Sequence, residues 1–229
     1  MIMGEIQKEK ENNIIVQIDG EKTYSFKRAK EIIYLGAKID ENGHEEGEIK
    51  ARIAKGNKKY GALRTLLKSK YVSRKTKIRI YKTVIRPTVT YASETWVLKK
   101  SETDLLERWE RKMQRAIYGG VKIEGQWRRR TNKELEELYQ EPTITTTIKA
   151  QRIRYLGHIE RMGSKRMPKM VLSRRPIQKR RKGRPRKRWK DSVYEDLKKS
   201  NIERWKELAL DRRRWREVVK ECIKRLKCI

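Results

Sequence analysis

Cysteine is nearly absent from this chain, with Cys222 and Cys228 as its whole supply. Two thiols cannot make a disulfide framework, so a reducing compartment is expected. No apolar run approaches the ~20 residues that a helix needs to cross a bilayer, which excludes a membrane-spanning helix. The opening Met1-Ile2-Met3-Gly4-Glu5 lacks the charged and then apolar pattern of a secretory signal. Proline and glycine are sparse, at 5 and 13 of 229 residues, which rules out collagen-like and Pro/Gly-rich chains and favours helix. Acid is short as well. Only 30 Asp and Glu face 62 Lys and Arg, for a formal net charge of +32. The chain is therefore expected in the nucleus or cytoplasm, not secreted, with no membrane partner. Its charge needs a polyanion, and RNA or DNA is the leading candidate.

Catalytic signatures are missing too. The sequence holds no Walker-type loop, no Gly-x-Ser-x-Gly elbow, and no Asp-Asp pair in an apolar hairpin that could hold two metals. His44 and His158 stand far apart, and neither lies near a Cys at zinc-ligand spacing. Taken by its own residues, the chain is expected to carry no catalytic residue, no metal ligand and no cofactor.

What is present begins as β. Ile14, Val16 and Ile18 alternate with polar residues, Asp19-Gly20 signals a turn, and Tyr24 and Phe26 resume the alternation. A third run, Ile32 to Ile39, carries Tyr34-Leu35-Gly36 in its middle, so a three-stranded sheet at the edge of something larger is expected. From Glu45 the period turns helical, with Ile49, Ile53, Tyr60, Leu63, Leu66 and Leu67 on one stripe. Ser73 is the expected N-cap of the next helix, which Pro87 should kink or break near Arg86. Ser101 to Asp104 resembles a capping box ahead of Leu105, Leu106, Trp109, Met113 and Ile117, and Gly119-Gly120 stops that helix. Thr131 to Glu134 reads as a second capping box. A helix from about Thr143 to Arg161 follows, and then two C-terminal segments, 189–200 and 211–227. The expected fold is mostly α with a small N-terminal antiparallel β element. It divides into a β element at 1–44, a helical bundle at 45–120, a helical connector at 121–162, a basic linker at 163–188 and C-terminal helices at 189–229.

The sharpest local signal is Arg174 to Lys190, where eleven of seventeen residues are Lys or Arg and none is acidic. Inside it, Lys182-Gly183-Arg184-Pro185 resembles the AT-hook, whose extended backbone lies in the narrow minor groove of A·T-rich DNA. Lys182 replaces that motif's first core Arg. A nuclear-localisation run and a solvated basic linker are the plainer readings. Trp127, Trp189 and Trp215 sit among basic residues, as a base-stacking platform beside a phosphate-binding cation would. Trp109, Trp205 and Trp215 also fall at helical core spacing.

The order of these segments resembles the C-terminal portion of LINE-type, non-LTR retrotransposon reverse transcriptases. Tyr34-Leu35-Gly36 is similar to the end of the family's "fKYLG" segment, which corresponds to its primer grip, although Ile32-Ile33 replaces the preceding Phe-Lys. Lys75 to Lys82 and Tyr91-Ala92-Ser93-Glu94-Thr95-Trp96 look like the region that follows the palm as a thumb-like helical element. Leu105 to Ile117 resembles the helix after it. Arg154 to Met162 is similar to the family's "rwlGHv.RM". Gly183 to Asp191 is similar to its "GRPrkrW.D", and Ala209 to Arg216 to its "AqDR..WR". These segments run in the family's order over about residues 14–219.

The resemblance implies a thumb-like fold that holds template, primer or target DNA. The family's aromatic-x-Asp-Asp pair is absent, so Mg²⁺ is expected only for a full-length polymerase and this chain alone is predicted inactive. Tyr34, Leu35 and Gly36 are the expected primer-grip residues. Lys58, Lys59, Arg64, Lys68 and Lys70 are expected to track phosphates. Arg174, Arg175, Lys179, Arg180, Arg181, Lys182, Arg184, Arg186, Lys187, Arg188 and Trp189 are expected to clamp DNA or RNA. An upstream polymerase palm is a further expected partner. Rival readings are an architectural or interaction protein derived from a retroelement, and a decayed copy without selected function.

Overall fold

The computed structural model describes residues 6–7, 13–18, 22–174 and 187–227, and these group into two compact units, 1–48 and 49–229. The chain is mostly α-helical, with small antiparallel β elements first, as the composition and periodicity predict. No helix among the described residues is long and apolar enough to cross a membrane.

In the first unit, β1 (Ile6–Gln7), β2 (Asn13–Ile18) and β3 (Lys22–Lys27) form an antiparallel sheet in the order β1-β2-β3, with Val16 opposite Tyr24. The run from Ile32 to Ile39 is not the third strand of that sheet. It folds on itself as a separate hairpin, β4 (Glu31–Tyr34) and β5 (Ala37–Asp40). The reason is local. Leu35 and Gly36 take φ of +48° and +77°, the two left-handed residues of a type I′ turn, whose twist matches paired strands. An ion pair from Lys38 to Glu31 at 2.7 Å and a bond from the Lys38 amide to the Glu48 carboxylate at 2.7 Å hold the hairpin. Its apolar residues face outward: Ile33 is 80%, Tyr34 63% and Leu35 73% exposed.

The second unit follows α1 (Glu46–Ala62) with α2 (Arg64–Lys68) and α3 (Arg74–Ile80). Ser73 caps α3 as its spacing predicts, its Oγ accepting the Thr76 amide at 3.1 Å. Pro87 does not end the path. The chain widens into one π turn at Tyr81–Ile85 and re-enters α4 (Arg86–Val89), so Pro87 sits in a first turn where its missing N–H costs little. A 3-10 turn, Ser93–Thr95, leads to α5 (Lys100–Tyr118). The start of α5 differs from the expected Ser101 box. The Lys99 amide donates to the buried Glu102 carboxylate at 2.7 Å, which moves the helix start back and gives Glu102 the role expected of Asp104.

Residues 121–128, expected within a helical connector, form instead a hairpin of β6 (Val121–Ile123) and β7 (Gln126–Arg128). Glu124 and Gly125, with φ of +48° and +84°, repeat the type I′ turn. Next comes α6 (Asn132–Tyr139), closed by the predicted Thr131/Glu134 box at 3.3 and 2.8 Å, and then α7 (Ile144–Glu160). The stretch read as linker from 163 contains α8 (Met167–Ser173), a helix whose few apolar residues are too short a run to show a period. Three helices finish the chain: α9 (Trp189–Lys199), α10 (Trp205–Leu210) and α11 (Arg212–Lys227).

Helix α7 organises the second unit because it is buried on nearly every side. Ile144 and Ile148 join a core with Tyr81, Ile85, Leu106, Trp109 and Met113. Ala150, Ile153 and Leu156 join a second core with Val193, Leu197, Ala209 and Trp215. Each fully buried Leu or Ile contributes about 1.5–3 kcal/mol, so this one helix couples two cores.

Candidate functional site

Among the described residues of the second unit, the segments that carry the resemblance meet around α7. Trp215 of α11 is 2% exposed and lies flush on Gly157, where a Cβ would come within 2.0 Å of its indole nitrogen. That nitrogen donates to the Ile153 carbonyl at 3.1 Å. Only glycine leaves room for this approach. Asp211 Oδ1 accepts the Arg213 and Arg214 amides at 2.6 and 3.1 Å, which fixes the start of α11, and these bonds hold its carboxyl below the usual range. Arg161 donates to the Ala209 carbonyl at 2.6 Å. Trp189 donates to the Glu94 carbonyl at 2.8 Å and packs edge-on against Tyr155. Ser93 donates to the Gln151 side chain at 2.7 Å. Residues matching separate motifs are thus one another's packing partners.

The same holds in the first core. The buried Glu110 carboxylate accepts from the Tyr81 hydroxyl and from the Ile144 amide, each at 2.7 Å, and so joins α5, the π turn and the start of α7. Burial pushes the Glu110 carboxyl up against the pull of these two donors. Burial and the nearby carboxylate push the Tyr81 phenol well above its usual value. Arg152 on α7 reaches Ser192 at 2.6 Å and Asp196 at 3.4 Å, both on α9. Burial lowers the arginine and raises the aspartate, so desolvation opposes this pair. These are structural contacts. Among the described residues no group of three or more His, Cys, Asp or Glu is placed to hold a metal.

The predicted binding residues fall in three places. Tyr34, Leu35 and Gly36 form the tip of the β4–β5 hairpin in the first unit. Lys58 and Lys59 lie on the outer face of α1, Arg64 and Lys68 one turn apart on α2, and Lys70 just beyond it; all five are exposed and carry no ion pair among the described residues. Arg174 ends α8, and Lys187 and Arg188 precede α9. Lys187 is paired with Glu195. Arg175, Lys179, Arg180, Arg181, Lys182, Arg184 and Arg186 lie outside the described residues.

Trp189, expected beside them as a nucleic-acid contact, is half-buried. Its N–H is committed to Glu94 and its ring to Tyr155, because α9 must dock on α7 there. It forms one wall of a mainly apolar cavity of about 520 Å³, shared with Ile159, Met167, Val171 and Leu172 and rimmed by Arg174, Arg188 and Lys190.

One cationic cluster is assembled only by the fold. Lys112 and Arg115, near the end of α5, face Arg128, Arg129 and Arg130 across a cavity of about 380 Å³ floored by Gly119-Gly120. The sequence displays the Arg128–Arg130 run, and it displays the basic stripe Arg111, Lys112, Arg115 at helical spacing. Their meeting depends on the β6–β7 hairpin, which carries only three residues per strand. Glu134 accepts from Arg128 at 2.6 and 2.9 Å and neutralises it. Arg115 donates to Asn132 at 2.6 Å and to the Arg130 carbonyl at 3.3 Å, both uncharged groups. Its guanidinium is held below its usual value first by desolvation and then by Arg129 and Arg111. The Arg130 Nε is buried without a hydrogen-bond partner among the described residues.

Beside this cavity stands Trp127, 74% exposed and paired across the hairpin with Lys122. A side chain at Gly120 would meet the Trp127 ring at 3.3 Å, so the glycine borders both the cavity and the indole.

Comparison with known proteins adds one relative. The chain is 22% identical over 196 residues to a transposon-derived protein of Caenorhabditis elegans, a match spanning 83% of this chain and 70% of that one. No family model matches the chain, and no solved structure matches it. The relative points to a transposon origin.

Proposed function

We propose that this chain is a nucleic-acid-binding C-terminal fragment of a LINE-type retrotransposon reverse transcriptase, which holds template, primer or target DNA without performing polymerisation. The observation that carries this reading is the set of cations on and just after α1 and α2: Lys58, Lys59, Arg64, Lys68 and Lys70 stand exposed and carry no ion pair among the described residues. A folded surface pays for such like-charge crowding only where a polyanion relieves it. Similarity to a transposon-derived protein supports the retroelement part. So does the packing of the motif-like segments on one another, since each segment explains why its partner has the residues it has. RNA and DNA are the partners, in the nucleus or cytoplasm, and the basic stretch from Arg174 to Arg188 adds grip.

The exposed apolar tip of the β4–β5 hairpin favours a second contact. Ile33, Tyr34 and Leu35 leave in water a surface of the kind that docks on protein, and an upstream polymerase palm is the partner that fits the primer-grip resemblance. With that partner absent the chain has no Asp-Asp pair, so primer extension should show no nucleotide incorporation. Binding is tested by salt titration. If six to ten phosphates are neutralised, affinity for a primer–template should fall by roughly 10³–10⁵ between about 50 and 200 mM salt. No binding to any polynucleotide, or binding indifferent to salt, overturns the proposal.

A further inference from the structure

We infer that the cavity between the end of α5 and the β6–β7 hairpin is a phosphate subsite, and that Trp127 beside it is the stacking platform for the attached base, so that this corner grips a single-stranded stretch of nucleic acid and not a duplex. The inference rests on the nucleic-acid reading above and assigns to it a substrate class.

Three independent observations meet here. The first is charge without compensation. Of the five cations lining the cavity, Arg128 alone has a carboxylate partner among the described residues, Glu134. The α5 carbonyls at the helix end offset part of the remaining charge, through a partial negative charge of about half a unit. Lys112, Arg115, Arg129 and Arg130 exceed that several-fold. The second is an unfilled donor. The Arg130 Nε–H is buried with no acceptor among the described residues, a costly state that an anionic oxygen in the cavity would relieve. The desolvation of Arg115, and after it the repulsion from Arg129 and Arg111, has the same remedy. The third is the floor. Gly119 and Gly120 present bare backbone, so a phosphate can approach closely.

Single-strand character follows from Trp127. An indole left 74% in solvent on a short hairpin loses stabilisation that burial would give it, and neither core among the described residues includes it. Lys122 lies directly across the strand pair from it, and Gly120 connects it to the cavity. Stacking on a ring needs a base whose face is open, which a duplex does not offer along its length. A cation pocket next to an exposed aromatic is therefore the chemistry that holds one unpaired nucleotide, phosphate on the arginines and base on the indole.

The test compares Trp127→Ala and Arg129→Ala with the unsubstituted full chain. The ligands are labelled oligouridine, oligothymidine and a DNA duplex of the same length, and thermal melts confirm that each variant folds. Both residues are exposed, so unchanged melting is expected. Trp127→Ala should weaken binding to the single strands roughly tenfold to a hundredfold while duplex binding changes less than about twofold, and Trp127→Tyr should restore most of the affinity. Arg129→Ala should lower the salt slope on single strands by about one. Single-strand affinity unchanged in Trp127→Ala overturns the inference, as does an equal loss for duplex and single strand. Both results leave the wider reading standing, because the unsubstituted chain still binds. Failure of the unsubstituted chain to bind any of the three polymers overturns both.

Discussion

Gly157→Ala should unseat α11, although alanine is the better helix former. In a helix the exchange would by itself stabilise by about 0.5–1 kcal/mol. Here the new methyl would lie 2.0 Å from Trp215 Nε1 and 2.3 Å from its Cδ1, with backbone on one side and a side chain 98% withdrawn from solvent on the other. Forcing the indole outward overpacks a closed core, at about 1–3 kcal/mol. It also strips the bond from the indole N–H to the Ile153 carbonyl, at about 1–3 kcal/mol for a buried donor left unpaired. The net loss is about 1–5 kcal/mol, which for a chain of this size lowers Tm by roughly 2–20 °C. Melting followed by far-ultraviolet circular dichroism reads this directly, and the same exchange in a Trp215→Leu background supplies the control. With the indole gone, Gly157→Ala should cost nothing or should stabilise slightly, giving a large coupling in the double-mutant cycle. Gly157→Ala melting at or above the unsubstituted chain would refute the packing assigned to these two residues.

Three further outcomes follow from the same contacts. Glu134 is held down to about 2 by Arg128 and the Thr131 amide, so its contribution to folding is full above its ordinary 4.5 and is lost as pH falls through about 2. Amide protection factors at the start of α6, corrected for intrinsic exchange at each pH, should therefore fall over that window, and Glu134→Gln should abolish this fall; a Glu134 carboxyl that titrates at 4.5 or higher in a carbon-detected NMR titration contradicts this. Breaking the buried Arg152–Asp196 pair with Arg152→Met should cost about 3–5 kcal/mol in urea unfolding, whereas Arg152→Met with Asp196→Leu should recover most of it, since neither charge is then stranded. A double variant as unstable as the single one would mean that the pair is net stabilising. Glu110→Ala removes the acceptor shared by Tyr81 and Ile144, and should fray the start of α7 and lower the chain's Tm, visible as reduced amide protection over its first turn.

Much of the helical fold is legible in the sequence because helices announce themselves locally. Ser73 and the Thr131/Glu134 box sit where their spacing predicts, and Ile49, Leu106, Trp109, Met113 and Ile153 occupy core positions that the period alone marks. What the sequence conceals is set by turns or by tertiary choice. Leu35 is a poor candidate for a left-handed residue, so the β4–β5 reversal hides inside what looks like one strand, and Glu124-Gly125 hides the second hairpin in the same way. Without that hairpin the arginines after Trp127 could not be brought to Lys112 and Arg115. The packing of Trp189 is concealed for the opposite reason: basic neighbours in sequence suggest a surface position, and only the docking of α9 on α7 shows its N–H taken by Glu94. The role of Gly157 depends on where Trp215 packs, which no local pattern encodes.

The claim that the charge of this chain serves grip is tested most directly by the salt slope of two proteins on one ligand. Affinity for a primer–template is measured against salt for the unsubstituted chain and for the chain with Lys58, Lys59, Arg64, Lys68 and Lys70 all changed to alanine. These side chains are exposed and unpaired among the described residues, so the fold should persist. If they sit on phosphates, the magnitude of the slope should fall by about one for each phosphate no longer neutralised, so by as much as about four or five. Equal slopes for the two proteins, with the unsubstituted chain binding normally, would show that this face does not hold nucleic acid.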